Sequence, residues 1–204
     1  MAIEAVVACA ESEQAIARID GFEARLRALF PAIGMLHPEG GSGDVSLAHV
    51  LQTAALALQA QAGCPVTFAR TTATIDPGVY QVVVEYSEEA VGRQAFEDAQ
   101  RLINAALGQG DFDAEAAIAN LRELDEDERL GPSTGAIVDA AVARDIPFRR
   151  LTRGSLVQFG WGSRQRRIQA AEIDSTSAVA ESIGQDKDLT KRLLHAAGVP
   201  VPLG

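Results

Sequence analysis

The sequence predicts an α+β fold, and three observations carry that reading. Apolar residues recur at helical spacing over long windows, as in Ser46 to Ala62 and Glu88 to Leu107. Two β-rich runs, Pro65 to Ala73 and Val79 to Tyr86, flank a compact turn at Asp76-Pro-Gly78. The order strand, helix, hairpin, helix, helix gives a mixed or antiparallel sheet with packed helices rather than a doubly wound sheet.

Each element has its own warrant. Met1 to Ala10 alternates Ile3, Ala5 and Val7 with small or polar residues, as a strand with one buried face does, and it begins without a lead-in. Gly21 to Phe30 spaces Phe22, Leu26, Leu29 and Phe30 as a helix and stops at Pro31. A glycine-rich loop, Pro38 to Asp44, follows. Leu47, Val50, Leu51, Ala54, Ala55 and Leu58 mark the next helix, with Gly63 as its stop and His49 at the head of its polar line. In the hairpin turn, Pro77 sets φ and Gly78 permits a positive φ. Val91, Ala95, Ala99, Leu102, Ile103 and Ala106 form the stripe of a long helix, and Asp113 opens another that runs to about Asp127.

The segment Leu130-Gly-Pro-Ser-Thr134 precedes a helix with Ile137, Val138, Ala141 and Val142 as its expected buried stripe. Ser133 or Thr134 serves there either as an N-cap or, with the N–H groups of the helix start, as a seat for a carboxylate or phosphate. Ile146 to Leu151 reads as a short strand. Leu156 to Phe159 is an apolar strand that turns at Gly160 and Gly162, around the only tryptophan, into a basic strand with Arg164, Arg166 and Arg167. Asp186 to Pro202 is a short helix closed by Gly198 and followed by two prolines.

Composition narrows the function classes. The 204 residues are 47% hydrophobic with a formal charge of −10, enough for a real core and unsuited to general nucleic-acid binding. No apolar run reaches the roughly 18 residues of a membrane span, and the N-terminus lacks a signal pattern, so a cytoplasmic protein is expected. Cys9 and Cys64 lie far apart without metal-type spacing and read as buried thiols. The charge is uneven: acids crowd Glu115 to Glu128, while Arg144, Arg149, Arg150, Arg153, Arg164, Arg166 and Arg167 follow. A local basic surface on an acidic protein suits an anionic or zwitterionic ligand, and equally a solvated face.

Taken together, Leu130-Gly-Pro-Ser-Thr134, Leu156-Val-Gln-Phe-Gly160 with Arg166-Arg-Ile-Gln-Ala170, Asp186-Lys187 with Leu193 to Pro202, and Pro77 to Tyr86 resemble the cyanophycin synthetase family in order and spacing. The central Phe159-Gly-Trp-Gly-Ser-Arg-Gln-Arg-Arg167 run is most similar to proteobacterial members. The resemblance implies a polymer-binding N-terminal domain over residues 1–150 and the opening strand and helix of an ATP-grasp domain over residues 151–204, with further chain expected on both sides. It implies a full-length ligase that uses ATP and Mg²⁺ to add Asp and Arg to cyanophycin through acyl phosphates, as a cytoplasmic homo-oligomer. For this chain it implies no cofactor, no catalytic residue, and polymer contacts at Ser133, Thr134, Arg164, Arg166 and Arg167. Those arginines serve equally as strand-edge charges that deter aggregation. Glu85, Glu88 and Glu89 are candidates to pair with the polymer's guanidinium groups.

Two other readings stand beside this one: a free-standing polymer-binding adaptor and a metallohydrolase. Some members of the family carry His-x-x-Glu-His where this chain has His49-Val-Leu-Gln-Thr53. Gln52 cannot act as a carboxylate base and Thr53 is a poor zinc ligand, which disfavours hydrolysis even with His37 and Glu39 nearby in sequence.

Overall fold

The structure is a computed structural model that describes residues 1–37, 44–170 and 172–202. The chain divides into two compact units, Met1–Arg129 and Leu130–Gly204.

The first unit is built on a three-stranded antiparallel sheet. Strand β1 (Ala2–Ala8) and β2 (Ala69–Ala73) flank the central β3 (Val79–Glu85), with Ala2 opposite Glu85 and Ala73 opposite Tyr80. Period-two alternation turns Val82 and Val84 inward, where both are buried, and leaves Glu4 and Val6 outside. The β2–β3 turn is held from β1's end: Cys9 N donates to Gly78 O at 2.8 Å. Gly78 has φ of 77°, and a Cβ there would stand 2.9 Å from Cys9 O, so glycine is required by both conformation and space.

Helices cover the inner face of this sheet. Helix α1 (Phe22–Leu29) buries Phe22 and Leu26, and Phe30 follows it into the core. Helix α2 (Leu47–Ala62) starts at the N-cap Ser46 and ends at Gly63, whose φ is 98°. It packs against β2 and β3 on one side and against α3 (Glu89–Ala106) and α4 (Ala114–Glu128) on the other. That two-sided contact explains why Ala48, Gln59 and Ala62 are buried as well as the six apolar positions of the expected stripe. Gln59 stays buried because its amide donates to Glu85 O at 3.0 Å and to Ala55 O at 3.3 Å. All six stripe residues expected for α3 are buried. Gly92 lets that helix approach β3's end, since a Cβ would lie 2.6 Å from Tyr86 Cβ. Asp113 caps α4, its carboxylate accepting from Ala116 N at 3.0 Å.

The second unit pairs helix α5 (Pro132–Val142) with an antiparallel meander of β4 (Phe148–Arg150), β5 (Leu156–Phe159), β6 (Arg166–Gln169) and β7 (Glu172–Ile173). Its core is small: Val138, Val157 and Ile168, with Leu130, Phe148 and Phe159 around them. The stripe of α5 differs from the expected one. Thr134, Val138 and Ala141 are buried, while Ile137 and Val142 are exposed, because a three-turn helix on a narrow sheet presents one line of residues and not a broad face. Two short helices, α6 (Ala178–Gln185) and α7 (Lys187–Ala196), bury no residue. Their order rests on local bonds: Ser177 Oγ accepts from Ala180 N, Asp186 accepts from Asp188 N and Leu189 N, and Thr190 Oγ1 donates to Ile183 O. Leu193 and Leu194 face solvent. Helix α6 and strand β7 lie in a stretch where the sequence pattern gives no expectation.

The two units therefore differ in what a truncation costs. Leu58→Ala, at a fully buried position of α2, is expected to lower stability by about 2–5 kcal/mol, whereas Leu193→Ala changes it by no more than about 0.5 kcal/mol. Urea unfolding of the two variants, followed by circular dichroism, measures the contrast.

Candidate functional site

The start of α5 is set by its proline. Pro132 enters the helix at its first position, where its missing N–H is an orphan in any case, so Gly131 becomes the N-cap residue. A side-chain cap must stand one residue before the helix, and Ser133 and Thr134 stand inside it. Neither caps α5, contrary to that expectation. Ser133 is exposed in the first turn, next to N–H groups that have no partner within the helix. Thr134 is 2% exposed and its hydroxyl donates to Ala170 O at 3.2 Å. Ala170 has φ of 55°, in the left-handed region, and is clamped from both sides, since its N–H donates to Ser155 Oγ at 3.1 Å. Thr134 is thus a bolt between α5 and the end of β6.

The basic hairpin is ordered by its register. Gly160 and Gly162, with φ of 65° and 61°, turn β5 into β6 through the single helical turn Gly162–Arg164, which leaves Trp161 exposed. Directly paired residues share a sheet face. The pairs Phe148 with Phe159, Val157 with Ile168, and Phe159 with Arg166 put these residues on the side of α5. The pairs Arg149 with Gln158 and Gln158 with Arg167 form a row on the opposite face. Arg166 and Arg167, adjacent in sequence, are therefore set on opposite faces. Arg166 lies 3.9 Å from Asp174 Oδ2, while Arg167 joins Arg149 across about 10 Å of sheet, two strand spacings. Gln158 is buried at the centre of the row and donates to Gly160 O at 3.3 Å. A cleft of about 260 Å³ follows the β6–β7 edge, with Arg166 and Arg167 against Asp174 and Ser175.

Ser133 and Thr134 are not gathered with the arginines. Thr134 is tied to the Ala170 end of β6, and Arg166 stands at the other end, about 13 Å along the strand. Arg164 is exposed at the hairpin tip. Arg149, which the sequence reading left in a general basic cluster, is the residue that completes a row. The only signal for it was the alternation of β4 relative to β5, which needs the strand pairing to be interpreted.

The residues at the position of the zinc-peptidase motif are committed to structure. His49 Nδ1 accepts from Ser46 N at 3.2 Å and lies 2.8 Å from Ser46 Oγ, and its ring stands edge-on to Tyr80. Burial pushes its pKa below 6.5, and an accepting Nδ1 places the proton of the neutral ring on Nε2. Gln52 Oε1 accepts from Thr71 Oγ1 at 2.8 Å, and Thr53 Oγ1 donates to His49 O at 2.9 Å. His37 pairs with Glu23 at 3.2 Å, while Glu39 lies outside the described residues. Glu89 forms an exposed pair with Arg93. Cys9 and Cys64 are buried free thiols, both pushed up in pKa chiefly by burial.

Glu85 does a structural task at the start of the hairpin. Its carboxylate accepts from Thr67 N at 2.7 Å and Phe68 N at 2.8 Å, and these bonds hold its pKa below the usual value.

The cyanophycin synthase-like N-terminal domain matches residues 5–108. The chain belongs to that family. Over 161 residues, 78% of this chain, it is 42% identical to the cyanophycin synthetases of Trichormus variabilis and of a Nostoc species, and 40% identical to that of Geminocystis herdmanii. The match covers 18% of each of these proteins, so the chain spans less than a fifth of the length of the cyanophycin synthetases it resembles.

Two titrations follow from the site. The ring of His49 is expected to titrate below 6.5 in the Nε2–H tautomer, as read from ¹⁵N shifts of the imidazole. For Glu85 the folded pKa lies below the unfolded one, so its contribution is full above about pH 4.5 and is lost as pH falls through the folded value. Glu85→Gln keeps an acceptor for Thr67 and Phe68, and its stability is expected to fall less steeply than the parent's below pH 4.5 in urea titrations.

Proposed function

We propose that this chain is the polymer-holding N-terminal part of an ATP-dependent ligase that extends an aspartate–arginine polymer, and that it contributes no ligation chemistry itself. The single observation that carries the reading, beyond family membership, is the Arg149–Gln158–Arg167 row on the face of the second sheet turned away from α5. Two arginines anchored about 10 Å apart across the sheet, with an amide between them, suit a chain that presents repeated carboxylates, since each guanidinium grips a carboxylate with two parallel donors. The cleft at the β6–β7 edge adds the opposite charge, Asp174, beside Arg166. A polymer that carries both carboxylates and guanidinium groups matches such alternating signs. Arg164 at the hairpin tip extends the basic surface in this reading, and Ser133 at the start of α5 offers a separate contact on the other side of the sheet.

Residues 151–204 fit the opening of an ATP-grasp domain in this proposal, with ATP, Asp, Arg and Mg²⁺ acting elsewhere in a cytoplasmic, homo-oligomeric ligase. Among the described residues no three His, Cys, Asp or Glu side chains converge. No helix among the described residues is long and apolar enough to cross a membrane.

Co-sedimentation with insoluble cyanophycin tests the proposal. The intact chain is expected to leave the supernatant, and Arg149→Glu with Arg167→Glu should weaken retention by about tenfold, about 0.7 kcal/mol per reversed charge. Arg144→Glu, on the far end of α5, should leave retention unchanged. An intact chain that stays in solution at low salt overturns the reading.

A further inference from the structure

The first unit carries a second place built for a side chain. Between β1, α2 and α3 lies an open cleft of about 320 Å³. Its floor is apolar, formed by Val7, Leu47, Leu51 and Ile103, the last three buried in the core. Its polar lining offers three side-chain acceptors, the carboxylate of Glu13 and the amide carbonyls of Gln100 and Asn104, beside the NH₂ donors of the two amides. Gln100 and Asn104 stand one turn apart on α3, so they share a face. Glu13 ends the short helical turn Glu11–Glu13 and is already fixed, because its Oε2 accepts from Ala10 N at 2.7 Å. A bound partner therefore does not have to order that carboxylate.

Among the described residues the lining contains no lysine or arginine, and Glu13 brings a negative charge to the cleft. The same field reaches the Cys9 thiol, whose pKa is raised first by burial and further by the Glu13 charge. An anionic ligand is disfavoured there. At the small end of the roughly 300–1,000 Å³ range of ligand sites, the space suits one long side chain rather than a nucleotide. We infer that this cleft binds a guanidinium-tipped aliphatic side chain. The methylene stem covers Val7, Leu47, Leu51 and Ile103, and the planar head gives its donors to the Glu13 carboxylate and to the side-chain carbonyls of Gln100 and Asn104. A flat group with five donors and no acceptor meets three spaced acceptors better than a compact ammonium does. The inference rests on the polymer-holding reading for the source of that side chain, an arginine of the polymer. It assigns this unit a contact of opposite sign to the arginine row.

The test uses the whole chain and three capped amino acids: N-acetyl-arginine amide, N-acetyl-lysine amide and the neutral N-acetyl-citrulline amide. Titration followed by amide shifts is expected to give saturable changes at Glu13, Gln100 and Asn104 with the arginine derivative, at millimolar affinity. The lysine derivative should bind at least threefold more weakly and the citrulline derivative not measurably. Glu13→Gln keeps an acceptor for Ala10 N and should lose at least fivefold in arginine affinity, while Asn104→Asp should gain. Absence of saturable shifts, or equal binding of the citrulline or lysine derivative, overturns the inference. If the arginine derivative fails while the intact chain still sediments with the polymer, the cleft assignment falls and the polymer reading stands. If the derivative binds and the polymer does not sediment, the cleft stands and the polymer reading falls.

Discussion

The alanine-rich face of α2 is the constraint on which the first unit depends. Ala48, Ala54 and Ala55 have no exposed surface, and their small side chains let the helix pack closely among β2, β3, α3 and α4, with Val50, Leu51 and Leu58 buried beside them. Larger side chains on that face would push the sheet away, and overpacking of this kind costs about 1–3 kcal/mol in well-packed cores. The hydrogen bonds across the same contact are matched to it. Gln59 reaches Glu85 O, and Gln52 receives Thr71, so both strands of the hairpin are pinned to one helix. His49 belongs to this arrangement as a capping and packing residue, which explains why its neighbours serve as structural donors and acceptors.

The second unit is organised by a smaller number of contacts, and each counts for more. Three buried apolar side chains and one threonine hydroxyl join α5 to the meander. Ala170 accepts a conformation normally left to glycine because both its backbone groups are held, one by Ser155 and the other by Thr134. That clamp fixes where β6 ends. It also fixes which of its arginines face α5 and which face away, because a slip of one residue would exchange the two sets.

Much of this was legible in the sequence because the signals were local. The Asp76-Pro-Gly78 turn, the Gly63 stop and the long apolar stripe of α3 each specify their own conformation without reference to the rest of the chain. The misreadings have non-local causes. Ser133 and Thr134 looked like caps because hydroxyls near a helix start usually are, but Pro132 had already taken the first helical position. The partner of Thr134 lies on another element, which no spacing within α5 could reveal. Arg149 was one of several arginines until pairing with β5 gave it a face. Helix α6 buries no residue, so it lacked the apolar stripe that marks a helix in sequence.

The pairing of β1 with β3 has a consequence for how the protein is made. Ala2 meets Glu85, so the first strand leaves the ribosome well before its partner exists. At a synthesis rate of about 5–20 residues per second, the interval is on the order of 4–16 s. During that time helices α1 and α2 can form, but the strand that will close the sheet has no ladder to join. Glu4 puts a charge inside the otherwise apolar segment while it waits. The arrival of β3 supplies both neighbours of the sheet at once, since it pairs with β2 through a short turn and with β1 across the whole earlier chain. Assembly of the first unit is thus timed by its central strand.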